Sequence, residues 1–219
     1  MKRFLILLFL FSGLTLSAQF SGGVYGGFNN SKLRGDTPRD IYFRNLPSGD
    51  IGMFLTYGIN DFFKVSFQPY YTRKGTKVSF RVQGIPAPVD SAKIFLSFFS
   101  FPVVFSVMTN KQRWYVLSGV EVSKPVHSYY KYVDGSDTKY DISDKVSKFN
   151  FYLSFGVGYR WPLGEKMHLF SELRYFQALI NTIRAGSIDP VYLPRVRSRG
   201  MQLEAGIEFS LARRKKNKP

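Results

Sequence analysis

FNFYLSFGVGYRW, residues 149–161, is the stretch that decides the fold. Phe149, Phe151, Leu153, Phe155, Val157, Tyr159 and Trp161 alternate with Asn150, Tyr152, Ser154, Gly156, Gly158 and Arg160. Successive side chains of a strand point to opposite faces, so this ribbon has one large apolar side and one small or polar side. It is about twice the usual strand length of roughly 5–6 residues. It is close to the roughly 9–11 tilted residues that cross a bilayer as β-structure. A lipid-facing coat and a polar interior are therefore expected.

Working outward, seven further segments resemble it with varying clarity. They are residues 20–29, 51–59, 62–73, 93–107, 113–123, 167–178 and 201–209. In the second of these Ile51, Met53, Leu55, Tyr57 and Ile59 share a face, and in the third Phe63, Val65, Phe67 and Tyr71 oppose Lys64, Ser66, Gln68 and Thr72. Segment 93–107 is apolar on both faces and carries Pro102, which lacks a ladder donor, so a bulge or break is expected there. The links alternate in length. Asn60-Asp61, Thr109 to Gln112 and Pro162 to Lys166 are short and turn-rich, whereas the other four connections are long and polar. Outer-membrane barrels place short turns in the periplasm and long loops outside. Trp114 starts one strand and Trp161 ends the next, both with lipid-facing parity, as in an aromatic girdle at the periplasmic rim. The expectation is all-β: an eight-stranded antiparallel up-and-down transmembrane β-barrel.

The totals agree with one such domain. The chain has 219 residues, 17% aromatic side chains and a mean hydropathy of −0.13, moderate because a barrel hides its apolar residues in alternation. It has no Cys, so disulfides and thiolate metal sites are unavailable. Lys2 and Arg3, the apolar run Phe4 to Phe11 and the small-x-small site Leu16-Ser17-Ala18 mark residues 1–18 as a cleaved signal peptide, with no Cys following for a lipid anchor. Residues 19–211 form the barrel domain, and residues 212–219 a basic periplasmic tail. The formal charge is +16, and setting aside Lys2, Arg3, Arg213, Arg214, Lys215, Lys216 and Lys218 leaves +9. Export makes the tail a solvated segment, with no nucleic acid as partner.

GGVYGGFNNSKLRGD (Gly22 to Asp36), SFPVVFSV (Ser100 to Val107), YVLSGVEVSKPV (Tyr115 to Val126) and ELRYFQALINT (Glu172 to Thr182) resemble strands of the PorT-type outer-membrane barrels of Bacteroidetes-like bacteria. The resemblance implies the barrel fold and, through the family's named member, a link to type IX protein secretion. Residues Glu204 to Leu211 also resemble the barrel-insertion signal, which commonly ends a chain, whereas here Ala212 to Pro219 follow.

An eight-stranded barrel is just wide enough for side chains to fill. Glu121, Arg160, Glu172, Arg174, Glu204 and Glu208, with Lys64 and Gln68, have inward parity and are expected to pair in a structural lumen network. His127 and His168 are expected at opposite ends, so no triad, metal site or cofactor site is assembled, and a non-enzyme is expected. Arg34, Arg39, Arg44, Arg184, Arg195, Arg197 and Arg199 are placed in or beside the long loops as candidate lipopolysaccharide contacts, because Arg suits phosphate. Lys131, Lys139 and Lys145 join them in the third loop, where Tyr129, Tyr130 and Tyr132 form a candidate adhesive patch.

The functional expectation is a structural or interaction component of the cell outer membrane. Its partners would be outer-membrane lipid and lipopolysaccharide, secretion-machinery proteins, or a periplasmic protein on the tail. The alternatives are a barrel enzyme modifying outer-leaflet lipid through His127 with Ser123 or Ser128, and a passive porin. A lipocalin-like binder is disfavoured by the charged inner parity.

Overall fold

Each long strand of the main sheet has two hydrogen-bonded neighbours, and that closes the sheet. The computed structural model describes residues 19–35, 41–81, 89–109, 113–133, 138–184, 186–188, 191–193 and 196–211. In chain order the strands are β1 (Gln19–Gly35), β2 (Ile41–Gly58), β3 (Phe63–Phe67), β4 (Tyr70–Phe80), β5 (Val89–Met108), β6 (Trp114–Tyr132), β7 (Tyr140–Asp141), β8 (Asn150–Pro162), β9 (Met167–Ala178), β10 (Gly186–Ile188), β11 (Val191–Leu193) and β12 (Val196–Ser210). β3 and β4 are two halves of one staved position, both paired with β2 and β5. The ring then runs through β6, β8, β9 and β12 and returns to β1 by antiparallel pairing. Consecutive strands are neighbours, so this is an eight-stranded up-and-down barrel with no free edge. β7 adds a short rung to β6, and β10 and β11 form a separate ribbon.

Two expectations change. First, β5 is continuous through Pro102, and the interruption lies in its neighbour at Gln68-Pro69. Gln68 N donates to Pro102 O at 3.1 Å, and Met53 N donates to Pro69 O at 3.0 Å. The N and C=O of one extended residue point the same way, so Pro102 turns its missing donor toward the gap and Pro69 turns its own toward β2. The two prolines therefore share one local fault in the ladder. The bulge of β5 against β6 is elsewhere, between Ser97 and Phe98.

Second, the strands run far beyond the expected ends. β1 continues to Gly35, β2 begins at Ile41, β5 at Val89, β12 at Val196, and β6 reaches Tyr132. Much of what looked like loop is strand whose pattern inverts. On β5, Phe99, Phe101 and Phe105 are exposed outward while Ser100 and Ser106 are buried. Nearer its start, Lys93 faces outward and Ala92, Ile94 and Leu96 are buried. β12 does the same, with exposed Met201 and Leu203 giving way to Arg199 and exposed Arg197 on the same face. Apolar side chains face out where lipid is the solvent, and face in where water is. The outward apolar span of β12, Met201 to Phe209, matches the roughly 9–11 residues of a membrane strand.

The interior is layered accordingly. At the end bearing the long connections, Leu33, Val78, Ala92, Ile94, Leu96, Phe98 and Val196 from the strands meet Ile142, Val146 and Ile183 from the connections in one apolar cluster. The remainder, down to the short turns, mixes buried polar and charged side chains with small apolar clusters such as Phe54 with Phe170 and Met108 with Leu117.

Candidate functional site

The lumen network is built from inward positions of strands far apart in sequence. Arg174 on β9 donates through Nε to Glu172 at 2.7 Å and through its terminal nitrogen to Gln68 at 2.7 Å, and its Nε lies 3.1 Å from Glu204. Glu172 also accepts from the Tyr115 hydroxyl at 2.6 Å. That tyrosine lies flat over Gly158, where an added Cβ would come within 2.2 Å of its ring, so Gly158 makes room for the aromatic partner of Glu172. Nearer the turns, Arg160 pairs with Glu208 at 2.5 Å, and Ser21 donates to the same carboxylate at 2.6 Å. Each of Glu121, Arg160, Glu172, Arg174, Glu204 and Glu208 is buried.

One principal member lies just past the expected end of its strand. Lys74, on β4, is fully buried, with Nζ 2.9 Å from Glu121 and 3.7 Å from the centre of the Tyr152 ring. Phe176 covers it from 4.5 Å. Glu121 further accepts from Tyr70 at 2.7 Å and Ser123 at 2.6 Å. The signal was present in the even-numbered series Ser66, Gln68, Tyr70, Thr72, Lys74, which keeps its inward parity across the Gln68-Pro69 fault. Among the described residues, the lumen thus sets Lys74 against Glu121, Arg160 against Glu208, and Arg174 between Glu172 and Glu204. Pairing of this kind is what makes buried charge tolerable.

The two ends of the lumen differ. Toward the turns it opens as a small cavity of about 40 Å³, lined among others by Lys64, Tyr115, Arg160, Glu172 and Glu208. Toward the loops it is sealed by the apolar cluster, which the connections lock in place. Thr182 N donates to Val196 O at 2.7 Å, Ser147 N to Thr182 O at 3.0 Å, and Arg184 N to Lys145 O at 2.8 Å. Ile183 bridges both Val146 and Val196.

On the outside, Trp114 and Trp161 are exposed at the turn end and sandwich Tyr159, with ring centres 4.7 and 4.6 Å from it. At the loop end the expected arginines separate. Arg34 and Arg197 face each other across β1 and β12, next to the facing pair Lys32 and Arg199. Arg44 is on β2 opposite Lys77, and both approach Asp90, at 3.4 and 3.9 Å. Arg184 is exposed on the fourth connection, and Arg39 and Arg195 lie outside the described residues, as do residues 1–18 and 212–219. Arg34, Arg44, Arg197 and Arg199 are therefore strand residues: on an outward face in water a cation continues a strand as well as a loop does. Lys77 also stands opposite Lys93, and Lys93 opposite Lys131, so cations girdle part of the extended rim. Two such charges roughly 6 Å apart repel by about 0.7 kcal/mol in water and about 3 kcal/mol at an effective dielectric of 20.

The expected tyrosine patch divides. Tyr130 and Tyr132 pack against the apolar seal and Tyr140, whereas Tyr129 stacks on Phe95, 5.0 Å away on the outer face. His127 is likewise exposed beside Tyr129, while Ser123 and Ser128 are buried. The bulge at Pro125 to His127 puts the imidazole on the opposite face from both hydroxyls, so the His–Ser pairing considered for lipid chemistry does not form. His168 is at the turn end, opposite Pro162 and Glu208.

Fold and site together define a closed, antiparallel membrane barrel with a filled lumen. The chain belongs to the outer membrane protein beta-barrel domain family, whose model matches residues 15–184. Among solved structures it is similar to Neisserial surface protein A, with 17% identity and a TM-score of 0.46 over 89% of this chain and 99% of that one. OprG from Pseudomonas aeruginosa matches at 14% identity and a TM-score of 0.44, over 90% and 96% of the two chains. Ail of Yersinia pestis, solved with a heparin analogue, matches at 14% and 0.43, over 87% and 99%. No match is found among curated protein sequences.

Proposed function

We propose that this outer-membrane barrel is a non-enzymatic structural and interaction component, anchored by its wall and active through its two rims. The observation that carries this reading is the double closure of the lumen. A network of buried ion pairs occupies its middle, and an apolar seal locked by two connections closes its loop end. Water-filled passage is therefore blocked twice, and among the described residues no pair of nucleophile and base faces a common space at the exposed rim. In this reading residues 1–18 direct export, the loop end faces outward, and the tail of residues 212–219 is presented in the periplasm. The PorT-like resemblance makes components of type IX secretion one class of partner to seek.

The test has two parts. Affinity purification from detergent-solubilised membranes, with the full chain and with residues 212–219 removed, is expected to recover a specific partner, and recovery of none from either counts against the reading. Planar-bilayer recording of the purified barrel is expected to show no stepwise conductance. Steady channel openings would replace this reading with a passive porin.

A further inference from the structure

We infer that the outward face of β1 and β12 at the loop end is a binding site for the phosphates of an outer-leaflet glycolipid. The inference rests on the orientation adopted above, with the long connections outside. Lys32 is registered against Arg199, and Arg34 against Arg197, on adjacent same-face rungs. Rungs on one face are about 6.6 Å apart along a strand, and directly opposed Cβ atoms about 5 Å apart, so four cations share a patch the size of one phosphorylated sugar. None of the four has a carboxylate partner among the described residues. Arg44 and Lys77 differ in this respect, because they share Asp90.

Position makes the patch specific to a lipid. Directly below the four cations on the same two strands stand Met201, then Phe28 opposite Leu203, all exposed, with Phe28 at 74%. A molecule that lays acyl chains on Phe28 and Leu203 brings its headgroup to Lys32, Arg34, Arg197 and Arg199. The three arginines offer paired N–H donors that match phosphate oxygens, and the lysine adds a point charge. A soluble anion would use only the upper half of this surface. An outer-leaflet glycolipid bearing phosphates on its sugar uses both halves.

Native mass spectrometry of the full-length, delipidated barrel tests the site. The probes are bisphosphorylated lipid A, the same glycolipid without phosphates, and inorganic phosphate. The wild-type barrel is expected to hold the bisphosphorylated form at least about tenfold more tightly than the dephosphorylated one, as for loss of charge-assisted hydrogen bonds. The double variant Arg34→Gln with Arg197→Gln should lose that preference, and Arg34→Lys with Arg197→Lys should keep most of it. Arg113→Gln, at the turn end, should leave it unchanged. Heat-modifiable gel migration checks that each variant folds, and the comparison of glycolipids on wild-type barrel decides the matter without any variant. Equal affinity for the two glycolipids, or no effect of the glutamine pair, would overturn the site. Displacement of the glycolipid by inorganic phosphate would make it a site for free anions and overturn the lipid assignment. Channel conductance or the lack of a protein partner would defeat the broader reading while leaving this measurement standing.

Discussion

Lys74 shows how a single residue can hold distant strands together. Its ammonium is enclosed by Tyr152 and Phe176 and is neutralised by Glu121 at 2.9 Å, linking β4, β6, β8 and β9. Removing one partner of a buried pair leaves the other charged and dry, which costs about 3–5 kcal/mol. Lys74→Ala should therefore lower the unfolding midpoint of the barrel in vesicles, and adding Glu121→Gln should recover part of the loss. If the two changes are simply additive, the pair is not coupled. At the loop end, Asp90 accepts from Ser79 at 2.6 Å and lies near Arg44 and Lys77. The Ser79 hydrogen bond first, and then the two cations, hold its carboxyl below the usual carboxylate range. A depressed folded-state pKa stabilises above the unfolded value, and that contribution disappears as pH falls through the folded one. Titration by carboxyl NMR should show Ser79→Ala moving Asp90 back up toward the ordinary value, and an unchanged titration would show that the serine is not its main partner.

At the scale of the element, each long strand passes through two solvents, and its side chains record the boundary. Within the membrane, β6 turns Val116, Val120 and Val122 outward and buries Glu121 and Ser123; beyond it, Lys131 takes the outward face and Tyr130 and Tyr132 pack inward. A cation placed at the lipid midplane of a barrel costs about 2–4 kcal/mol, and much less near the interface. Val120→Lys should incur a cost of that order in denaturant unfolding from vesicles. A change at Val133 beyond the boundary, Val133→Lys, should cost close to nothing, and equal costs would move the boundary. The inversion also explains what was legible. The membrane parts of seven strands were readable because lipid imposes one clean alternation, while that of β5 read as apolar on both faces, and the upper extensions of β1, β2, β4, β5, β6 and β12 looked like polar loops. There Arg34, Arg44 and Arg197 sit on the water face, and the buried apolar residues Leu33 and Val196 are single residues between charged neighbours. The bulge at Pro125 to His127 further shifted the parity of β6 by one residue, which is why Tyr130 and Tyr132 turn inward and Tyr129 outward.

The whole molecule is a stopper more than a tube. Its connections are fastened to each other and to β12 through Thr182, Ile183 and Val196, and their apolar side chains complete a core that the strands alone leave open. Ile183→Asp would bury an unpaired carboxylate in that core, so the connections should detach while the membrane ring persists. Limited proteolysis should then cut within residues 179–195 about five- to 150-fold faster, in step with a destabilisation of about 1–3 kcal/mol, with heat-modifiable migration retained. Undiminished protease resistance would mean that the seal does not depend on Ile183. Conductance should remain absent even then, because the Arg174 and Lys74 networks still fill the middle. By itself the sequence determined the strand number, the order of short and long links, and the inward parity of Glu121, Arg160, Glu172, Arg174, Glu204 and Glu208, because these follow from period-two alternation and turn chemistry along a single strand. Only the tertiary structure decided that Lys74 is caged, that Ile142, Val146 and Ile183 close one end, and that four cations of β1 and β12 stand side by side. Those depend on register between strands distant in the chain, and a strand's own alternation carries no record of which residue will stand opposite it.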